Sequence, residues 1–304
     1  MHGRPTSSEL SARSGDVTLA GTLWLPPGEP AATVLMHPGS GPSDRHNDVF
    51  FPPIRAHLLD AGIAVASFDK RGVGGSSGRW QEAAIVEQAT DAICCLERVQ
   101  AAVGGQVGLF GHSQGGWVVL EAAARFPGAA FVITSSGPGV TPEQQERYAT
   151  QLYMRRAGIS DDELDEVRRY YDDVVAMLRD GTPLELARRR VAASGFPQAF
   201  ATLELPVLPD DDAEWTLLAA LIDHDPRPAL ERIAVPVLAV FGAADPITPV
   251  AESIAAFRGH VRPELLRIEV FAGAGHRLEA GDPPALADGY LELLAAFILG
   301  AVLR

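Results

Sequence analysis

The sequence predicts an α/β fold in which helices cover both faces of a mostly parallel sheet, interrupted by one inserted helical segment. Up to residue 140 and again from residue 224, short apolar runs alternate with helical stretches, as in chains of β-α units. Over 141–223 the alternation stops, and helical stretches follow one another without a convincing strand. We therefore expect a core built from 1–140 and 224–304 and a helical cap built from 141–223.

The individual elements follow from the period of the apolar residues. Residues 16–25 alternate as expected for a pair of strands that turns near Ala20 and Gly21. The other strands of the core are predicted at 33–36, 63–68, 107–110, 130–134, 237–241 and 265–271, and its helices at 51–61, 82–102, 117–124, 251–257 and 284–303. The helices of the insertion are predicted at 143–157, 161–178, 183–193 and 212–222.

Composition narrows the class of protein. The chain has 304 residues, of which 47% are hydrophobic and 21% charged, an ordinary balance for a globular protein with a sizeable core. The net charge of −14 argues against binding to nucleic acid or to anionic membranes. Cys94 and Cys95 are adjacent in a predicted helix, so we expect reduced thiols. Neither an apolar leader nor a membrane span is evident, which predicts a cytoplasmic protein.

The stretch at 106–124 carries the strongest functional signal and reads QVGLFGHSQGGWVVLEAAA. A buried strand, a Gly-x-Ser-x-Gly turn from Gly111 to Gly115 and an apolar helix follow one another, which is the context that a nucleophile elbow requires. The flanking glycines let the strand and the helix approach closely and leave the apex of the turn open, with the serine hydroxyl pushed out of the sheet. Ser113 is therefore the candidate nucleophile.

A serine hydroxyl needs a base to take its proton and an acid to orient that base. Asp245 follows the strand at 237–241, and His276 follows the strand at 265–271. The carboxyl ends of parallel strands share one edge of a sheet, so both side chains can converge on Ser113, and the order Ser, Asp, His fits this elbow. Asp282 is the alternative acid, although it comes after the histidine.

Backbone amides complete the predicted site. An oxyanion hole takes one N–H from the residue after the nucleophile and one from a loop after an early strand. Gln114 fills the first position, and Ser40, which lies between Gly39 and Gly41, or a neighbour one residue away, fills the second. His37 and His112 adjoin the same loops, and we interpret both as structural, because one base suffices.

Two charged loops and one glycine-rich loop have simpler interpretations. Residues 44–45 and 69–71 are charged, and we expect them to pair and to pin the two loops together. The glycines at 72–75 match neither the P-loop nor the dinucleotide-binding pattern. Without a His-Glu-x-x-His motif or a Cys/His cluster, the sequence predicts no metal and no cofactor.

The chain resembles the α/β-hydrolase superfamily over nearly its whole length. The stretches GSGPSDR (39–45), DKRGVGGS (69–76) and GHSQGG (111–116) resemble bacterial serine hydrolases of the carboxylesterase and serine aminopeptidase-like groups, with Pro38 as one departure from their usual His-Gly. This resemblance implies an eight-stranded sheet with a helical cap, a triad of Ser113, Asp245 and His276, and an acyl-enzyme intermediate.

We therefore expect a cofactor-free serine hydrolase that cleaves a carboxylic ester. The alternatives are an amide or thioester hydrolase with the same machinery and a binding protein that keeps the fold without turnover. The expected partner is a small-molecule acyl ester or related substrate, and monomer and homodimer both stay open. Aromatic residues of the cap either line an acyl pocket or pack the cap onto the core, and for most of them we favour packing. They are Tyr153, Tyr170, Tyr171, Phe196, Phe200 and Trp215.

Overall fold

The structure, a computed structural model, describes residues 4–194, 197–203 and 208–303. The chain divides into two compact units. The first consists of Met1–Val140 and Pro226–Arg304, and the second consists of Thr141–Asp225. Within the described ranges, no helix is long and apolar enough to cross a membrane.

The first unit is organised on one sheet of eight strands, in the order β1-β2-β4-β3-β5-β6-β7-β8. The strands β1 to β8 are, in chain order, Thr6–Ser14, Val17–Leu25, Ala32–His37, Ile63–Phe68, Val107–His112, Val132–Ser135, Val237–Gly242 and Leu266–Phe271. β2 pairs antiparallel with β1 and with β4, and every other pairing is parallel. The central strands β4, β5 and β7 are buried at every position, as expected for parallel strands covered on both faces.

Helices pack on both faces of this sheet. They are α1 (Phe51–Asp60), α2 (Ile85–Val103), α3 (Gln114–Arg125), α9 (Arg227–Arg232), α10 (Val250–His260) and α11 (Tyr290–Val302), with short 3-10 turns at Trp80–Glu82 and Pro263–Leu265. Val34 and Met36 of β3 share one hydrophobic cluster with α1 and α11. The intervening residues Thr33 and Leu35 are also buried, and they point to the opposite face, where α2 and α3 pack together.

The second unit consists of helices with a hydrophobic cluster of their own. They are α4 (Pro142–Arg156), α5 (Asp161–Arg179), α6 (Leu184–Ser194), α7 (Gln198–Thr202) and α8 (Asp212–Leu221). Capping boxes begin α4 at Thr141 and α5 at Ser160, and the Asp211 side chain caps α8. Arg179, at the end of α5, binds both Asp223 and Glu143.

The aromatic residues named for this segment differ in their environment. Tyr170, Phe200 and Trp215 are buried in the cluster of the helical unit itself, and Tyr171 packs against it. Tyr153 is 51% exposed, and Phe196 lies outside the described residues. Tyr170, Phe200 and Trp215 therefore pack the interior of the helical unit.

The N-terminal hairpin differs from the prediction. The turn predicted near Ala20 and Gly21 is wrong, because β2 runs unbroken through both residues and the chain turns at Gly15 instead, where φ is +60°. Gly21 serves a different purpose, since a Cβ there would lie 2.4 Å from the ring of Phe68. The glycine thus permits close packing of the ring on the sheet.

The C-terminal helix also begins later than predicted. Residues 284–289 are not helical, because the chain forms a short hairpin of β9 (Glu279–Ala280) and β10 (Ala285–Leu286) before α11. A glycine at position 281 with φ of +84° and the two prolines that follow Asp282 favour a turn over a helix. The short helices α7 and α9 were not predicted, since too few residues carry their periodicity.

Candidate active site

The strand order brings the candidate residues to one edge of the sheet. β3, β5, β6, β7 and β8 are consecutive parallel strands, so their carboxyl ends lie side by side. Ser113 directly follows β5, Asp245 comes three residues after β7, and His276 comes five residues after β8. Residues separated by up to 163 positions in the chain are therefore brought into contact.

The turn at Ser113 is strained and depends on glycine. Ser113 has φ of +53° and ψ of −124°. Residues other than glycine rarely adopt this backbone conformation, which costs about 1–3 kcal/mol. A Cβ at Gly111 would lie 2.1 Å from the carbonyl oxygen of Gly115, and a Cβ at Gly115 would lie 2.5 Å from that of Pro38. The backbone N–H of Ser113 donates to the carbonyl oxygen of Ser135 on β6, which anchors the turn to the sheet.

The three candidate side chains form one chain of hydrogen bonds. The Ser113 Oγ lies 2.9 Å from His276 Nε2. His276 Nδ1 lies 2.9 Å from Oδ2 of Asp245 and 3.1 Å from Oδ1. Asp245 is 2% exposed, and Ser113 and His276 are each 9% exposed, so water has little access to these contacts. The Nδ1 contact fixes the tautomer that leaves Nε2 able to accept the proton of the serine.

The carboxylate of Asp245 is held by its own loop. Its Oδ1 accepts hydrogen bonds from the backbone N–H of Ile247 at 2.8 Å and of Thr248 at 2.9 Å. Burial raises the pKa of this carboxyl, but the hydrogen bonds from His276 and the two amides outweigh burial, so its pKa is lowered. Thr248 Oγ1 also donates to the carbonyl oxygen of Ser136, which ties the acid loop to the end of β6.

Sequence reasoning missed the role of Thr248, although Asp followed by Thr three residues later is a pattern of side-chain-capped turns. It also missed Gly242, the last residue of β7. A Cβ there would lie 2.3 Å from the carbonyl oxygen of Gly275, so a larger residue would push the histidine loop away. Backbone hydrogen bonds from the N–H of Ala243 to the carbonyl oxygen of Phe271 and from the N–H of Ala244 to that of Ala274 join the two loops.

The carboxylate that reaches His276 is that of Asp245 rather than Asp282.

Gln114 and the loop that carries Ser40 both adjoin the nucleophile. Gln114 is the first residue of α3, where backbone N–H groups have no acceptor within the helix. The loop after β3 approaches the nucleophile through Gly39, where a Cβ would lie 3.3 Å from Cβ of Ser113. Ser40 is the next residue and is exposed.

A buried lysine supports the loop after β3. Lys70, which follows β4, donates from Nζ to the carbonyl oxygen of Gly39. Burial lowers the pKa of Lys70 to about 7. His37 turns its Nδ1 to the carbonyl oxygen of Pro38 at 3.0 Å, and burial, with the nearby Lys70 charge, lowers the pKa of His37 to about 3. Both side chains therefore hold the loop through its carbonyl oxygens.

The predicted pairing of the two charged loops is confirmed for Arg45 and Asp69. The Asp69 carboxylate accepts from the backbone N–H and from Nε and Nη2 of Arg45, and also from the backbone N–H of Gly75. Arg71 instead pairs with Asp91 of α2. Asp44 also acts differently, since it caps the following turn by accepting two backbone N–H groups.

His112 packs directly behind the candidate base. Its ring centroid lies 5.1 Å from that of His276 and 4.4 Å from that of Phe50. Its Nδ1 lies 3.1 Å from the carbonyl oxygen of Ser135, which makes Nδ1–H the donor. Burial, and then the charge of His276, lowers the pKa of His112 to about 3. His112 is therefore an uncharged side chain that packs against the ring of His276.

Comparison with known families identifies the fold. The model of the Alpha/beta hydrolase family matches residues 34–288. The chain belongs to the α/β hydrolase family. The implied sheet of eight strands, mostly parallel and flanked by helices, is confirmed as well.

Two curated proteins resemble this α/β hydrolase in sequence. 3-oxoadipate enol-lactonase 2 of Acinetobacter baylyi is 26% identical over 189 residues, which are 62% of this chain and 64% of the enol-lactonase, just under two thirds of its length. The pimeloyl-[acyl-carrier protein] methyl ester esterase of Aromatoleum aromaticum is 29% identical over 204 residues, 64% of this chain and 73% of the esterase.

Solved structures resemble the hydrolase over nearly its full length. The proline iminopeptidase of Mycobacterium smegmatis superposes with a TM-score of 0.63 at 22% identity, covering 97% of this chain and 99% of the peptidase. At this identity the likeness concerns the fold.

Proposed function

We propose that this α/β hydrolase is a serine hydrolase that cleaves carboxylic esters through an acyl-enzyme on Ser113. The observation that carries the proposal is the unbroken chain of hydrogen bonds from Ser113 through His276 to Asp245, with 2.9 Å between Oγ and Nε2. A strained elbow presents the hydroxyl, and a low-pKa carboxylate orients the imidazole. These are the parts that nucleophilic acyl transfer needs.

The reaction proceeds in two balanced halves. In the first, Ser113 Oγ forms a bond to the ester carbonyl carbon while its proton passes to His276 Nε2, and the carbonyl electrons move to the oxygen. The backbone N–H groups of Gln114 and Ser40 stabilise this oxyanion. Collapse of the intermediate breaks the bond to the alkoxide, which takes the proton from His276 and leaves as an alcohol.

In the second half, water replaces the alcohol. His276 takes one proton from the water as its oxygen attacks the acyl carbon, and the same oxyanion donors act again. Collapse then breaks the bond to Ser113 Oγ, which recovers the proton, and the carboxylic acid departs. Asp245 stays ionised throughout, because its hydrogen bonds favour the charged form.

The curated relatives favour esters over amides as substrates. One is named an enol-lactonase and the other a methyl ester esterase, and both a lactone and a methyl ester are carboxylic esters. The proline iminopeptidase supports the fold only, at 22% identity. We therefore propose an ester as the substrate class and treat amide cleavage as an outcome of the test.

The proposal is tested with p-nitrophenyl esters of increasing acyl length and with a fluorophosphonate probe. We expect ester turnover and one labelled peptide that contains Ser113, and Ser113→Ala should lose both. Ser43→Ala is the matched control, since Ser43 lies in the loop after β3 and its hydroxyl bonds within that loop. Unlabelled Ser113, or full turnover by Ser113→Ala, contradicts a serine hydrolase. Faster cleavage of prolyl-naphthylamide than of any ester contradicts the ester assignment alone.

A further inference from the structure

The outer edge of β8 is a surface that the hydrolase chemistry does not use. β8 is the last strand of the sheet, and among the described residues nothing pairs with its outer side. The carbonyl oxygen of Phe271 accepts from Ala243 beyond β7, so it points inward. Since backbone groups alternate in direction along a strand, those of Leu266, Ile268 and Val270 point outward. An unprotected edge of this kind is a template for another strand.

Along this edge strand, apolar and charged side chains are arranged symmetrically about the central residue. The sequence LRIEV over 266–270 has an apolar residue at its centre, opposite charges on either side and an apolar residue at each end. Arg267 and Glu269 are 51% and 40% exposed and bind each other on one face of the strand. Val270 is 45% exposed on the other face. Such a pattern is complementary to its own antiparallel copy.

We propose that two copies of this chain associate through antiparallel pairing of β8 with β8 of the partner, with Ile268 on the twofold axis. Arg267 of each copy then lies opposite Glu269 of the other, and Leu266 lies opposite Val270. The charged residues occupy the positions without backbone hydrogen bonds, where opposing side chains approach most closely. The outward backbone groups of the strand all find partners.

Among the registers centred on Arg267, Ile268 and Glu269, only the one centred on Ile268 places opposite charges against each other. A twofold axis perpendicular to the sheet relates the two strands. Directly opposite residues must lie on the same face of the sheet, so one residue of β8 has to lie opposite its own copy. Centring the pair on Arg267 or on Glu269 places like charges directly opposite each other, which is destabilising. Centring it on Ile268 produces two attractive pairs instead. The isologous arrangement closes at two copies.

The surface next to the edge enlarges the interface. A stable interface buries about 800 Å² on each partner, more than a six-residue strand edge supplies. A groove of about 210 Å³ lies between the start of β8 and α11. Ala296 and Gly300 are exposed on the same side of α11, Phe297 lines the groove, and Leu303 is 86% exposed. Small and apolar side chains at these positions allow the partner to approach closely.

The test reverses and then restores the charges. We expect sedimentation of the parent at 0.15 M salt to give a particle of twice 32.3 kDa. Arg267→Glu and Glu269→Arg should each raise the dissociation constant of the dimer about tenfold or more, since each creates two like-charge pairs. The double variant Arg267→Glu/Glu269→Arg should restore the parent constant. Circular dichroism checks that each variant is folded.

The matched control reverses a charge in another exposed pair. Glu185 and Arg189 bind each other on α6, and Arg189→Glu should leave the dissociation constant unchanged. A monomeric parent at 100 μM would overturn the proposal, and so would single variants that dimerise as well as the parent. Weak association of the double variant, at the level of the single ones, would equally contradict it.

Cysteine substitution reads the register. Directly opposite residues of a hydrogen-bonded pair have Cα atoms about 5.5 Å apart, within the range of a disulfide. Ile268→Cys should therefore form a disulfide-linked dimer under mild oxidation, whereas Val270→Cys, which lies opposite Leu266, should not. Cross-linking at position 270 in preference to 268 would contradict the proposed axis.

Discussion

Neutral burial of His112 makes the stability of the protein depend on pH. Burial lowers the pKa of His112 from 6.5 to about 3. Between these values the unfolded chain binds a proton that the folded protein does not, so acidification favours the unfolded state. The stability that depends on this group is present above pH 6.5 and is lost progressively as the pH falls toward 3.

The magnitude follows from the two pKa values. Proton binding to His112 in the unfolded chain stabilises that state by about 2 kcal/mol at pH 5 but only by about 0.2 kcal/mol at pH 7. His112→Asn removes the titrating group while an amide N–H replaces the Nδ1 donor to Ser135. The parent should therefore lose about 2 kcal/mol more than the variant between pH 7 and pH 5. His37 is present in both proteins, so its own effect cancels.

The assay is urea denaturation of parent and variant at pH 7 and pH 5. Phe110→Leu is the control, because Phe110 is fully buried against Phe51 and its loss weakens packing without removing a titrating group. Its destabilisation should be the same at both pH values. Equal losses of stability for the parent and His112→Asn would show that His112 is not held neutral, and the reasoning from burial would fail.

Three further changes have defined outcomes. Gly111→Ala places a Cβ 2.1 Å from the carbonyl oxygen of Gly115 and should lower the unfolding free energy by several kcal/mol in urea titrations, whereas Gly105→Ala meets nothing within 4 Å and should change it by about 0.5 kcal/mol or less. Lys70→Met removes the ammonium donor to the loop after β3, and we expect kcat for p-nitrophenyl esters to fall about tenfold; an unchanged kcat would mean that the loop holds its position unaided. Asp245→Asn should lower kcat by about 10⁴ through loss of the orienting carboxylate, and a fall of less than tenfold would remove this residue from the mechanism.

The sequence predicted most of the core fold because strands that are buried on both faces are rich in apolar residues, a pattern that is easy to recognise in the sequence. The strands at 63–68 and 107–112 are buried at every position and contain the apolar runs that predicted them, and glycine-rich turns follow both. The prediction failed at Gly21 and over 284–289. At Gly21 the local pattern does not distinguish a turn from close packing, whereas before α11 the two prolines after Asp282 were given too little weight against the apolar run. Gly21 was interpreted as a turn residue, but the ring of Phe68 requires it, and Phe68 is distant in the chain.

The residues of the candidate site divide in the same way. Ser113, Asp245 and His276 each follow a recognisable strand, so the sequence alone could name them. The roles of Thr248 and Gly242 were missed, and Lys70 was expected only as one member of a charged loop, because each acts through a carbonyl oxygen of another loop. Their partners are Ser136, Gly275 and Gly39, and each contact exists only after the loops have come together.

The sequence by itself determined most of the alternation of strands and helices in the core, the strained turn at Ser113 and the residue types available for acyl transfer. These depend on local periodicity and on glycine spacing, which are properties of residues that are close together in the chain. Only the tertiary structure decided the 2.9 Å contacts of His276, the neutral state of His112 and the outer edge of β8, which no described strand pairs with. Distances, desolvation and edges arise from residues that are remote in the chain, so no window of sequence contains them.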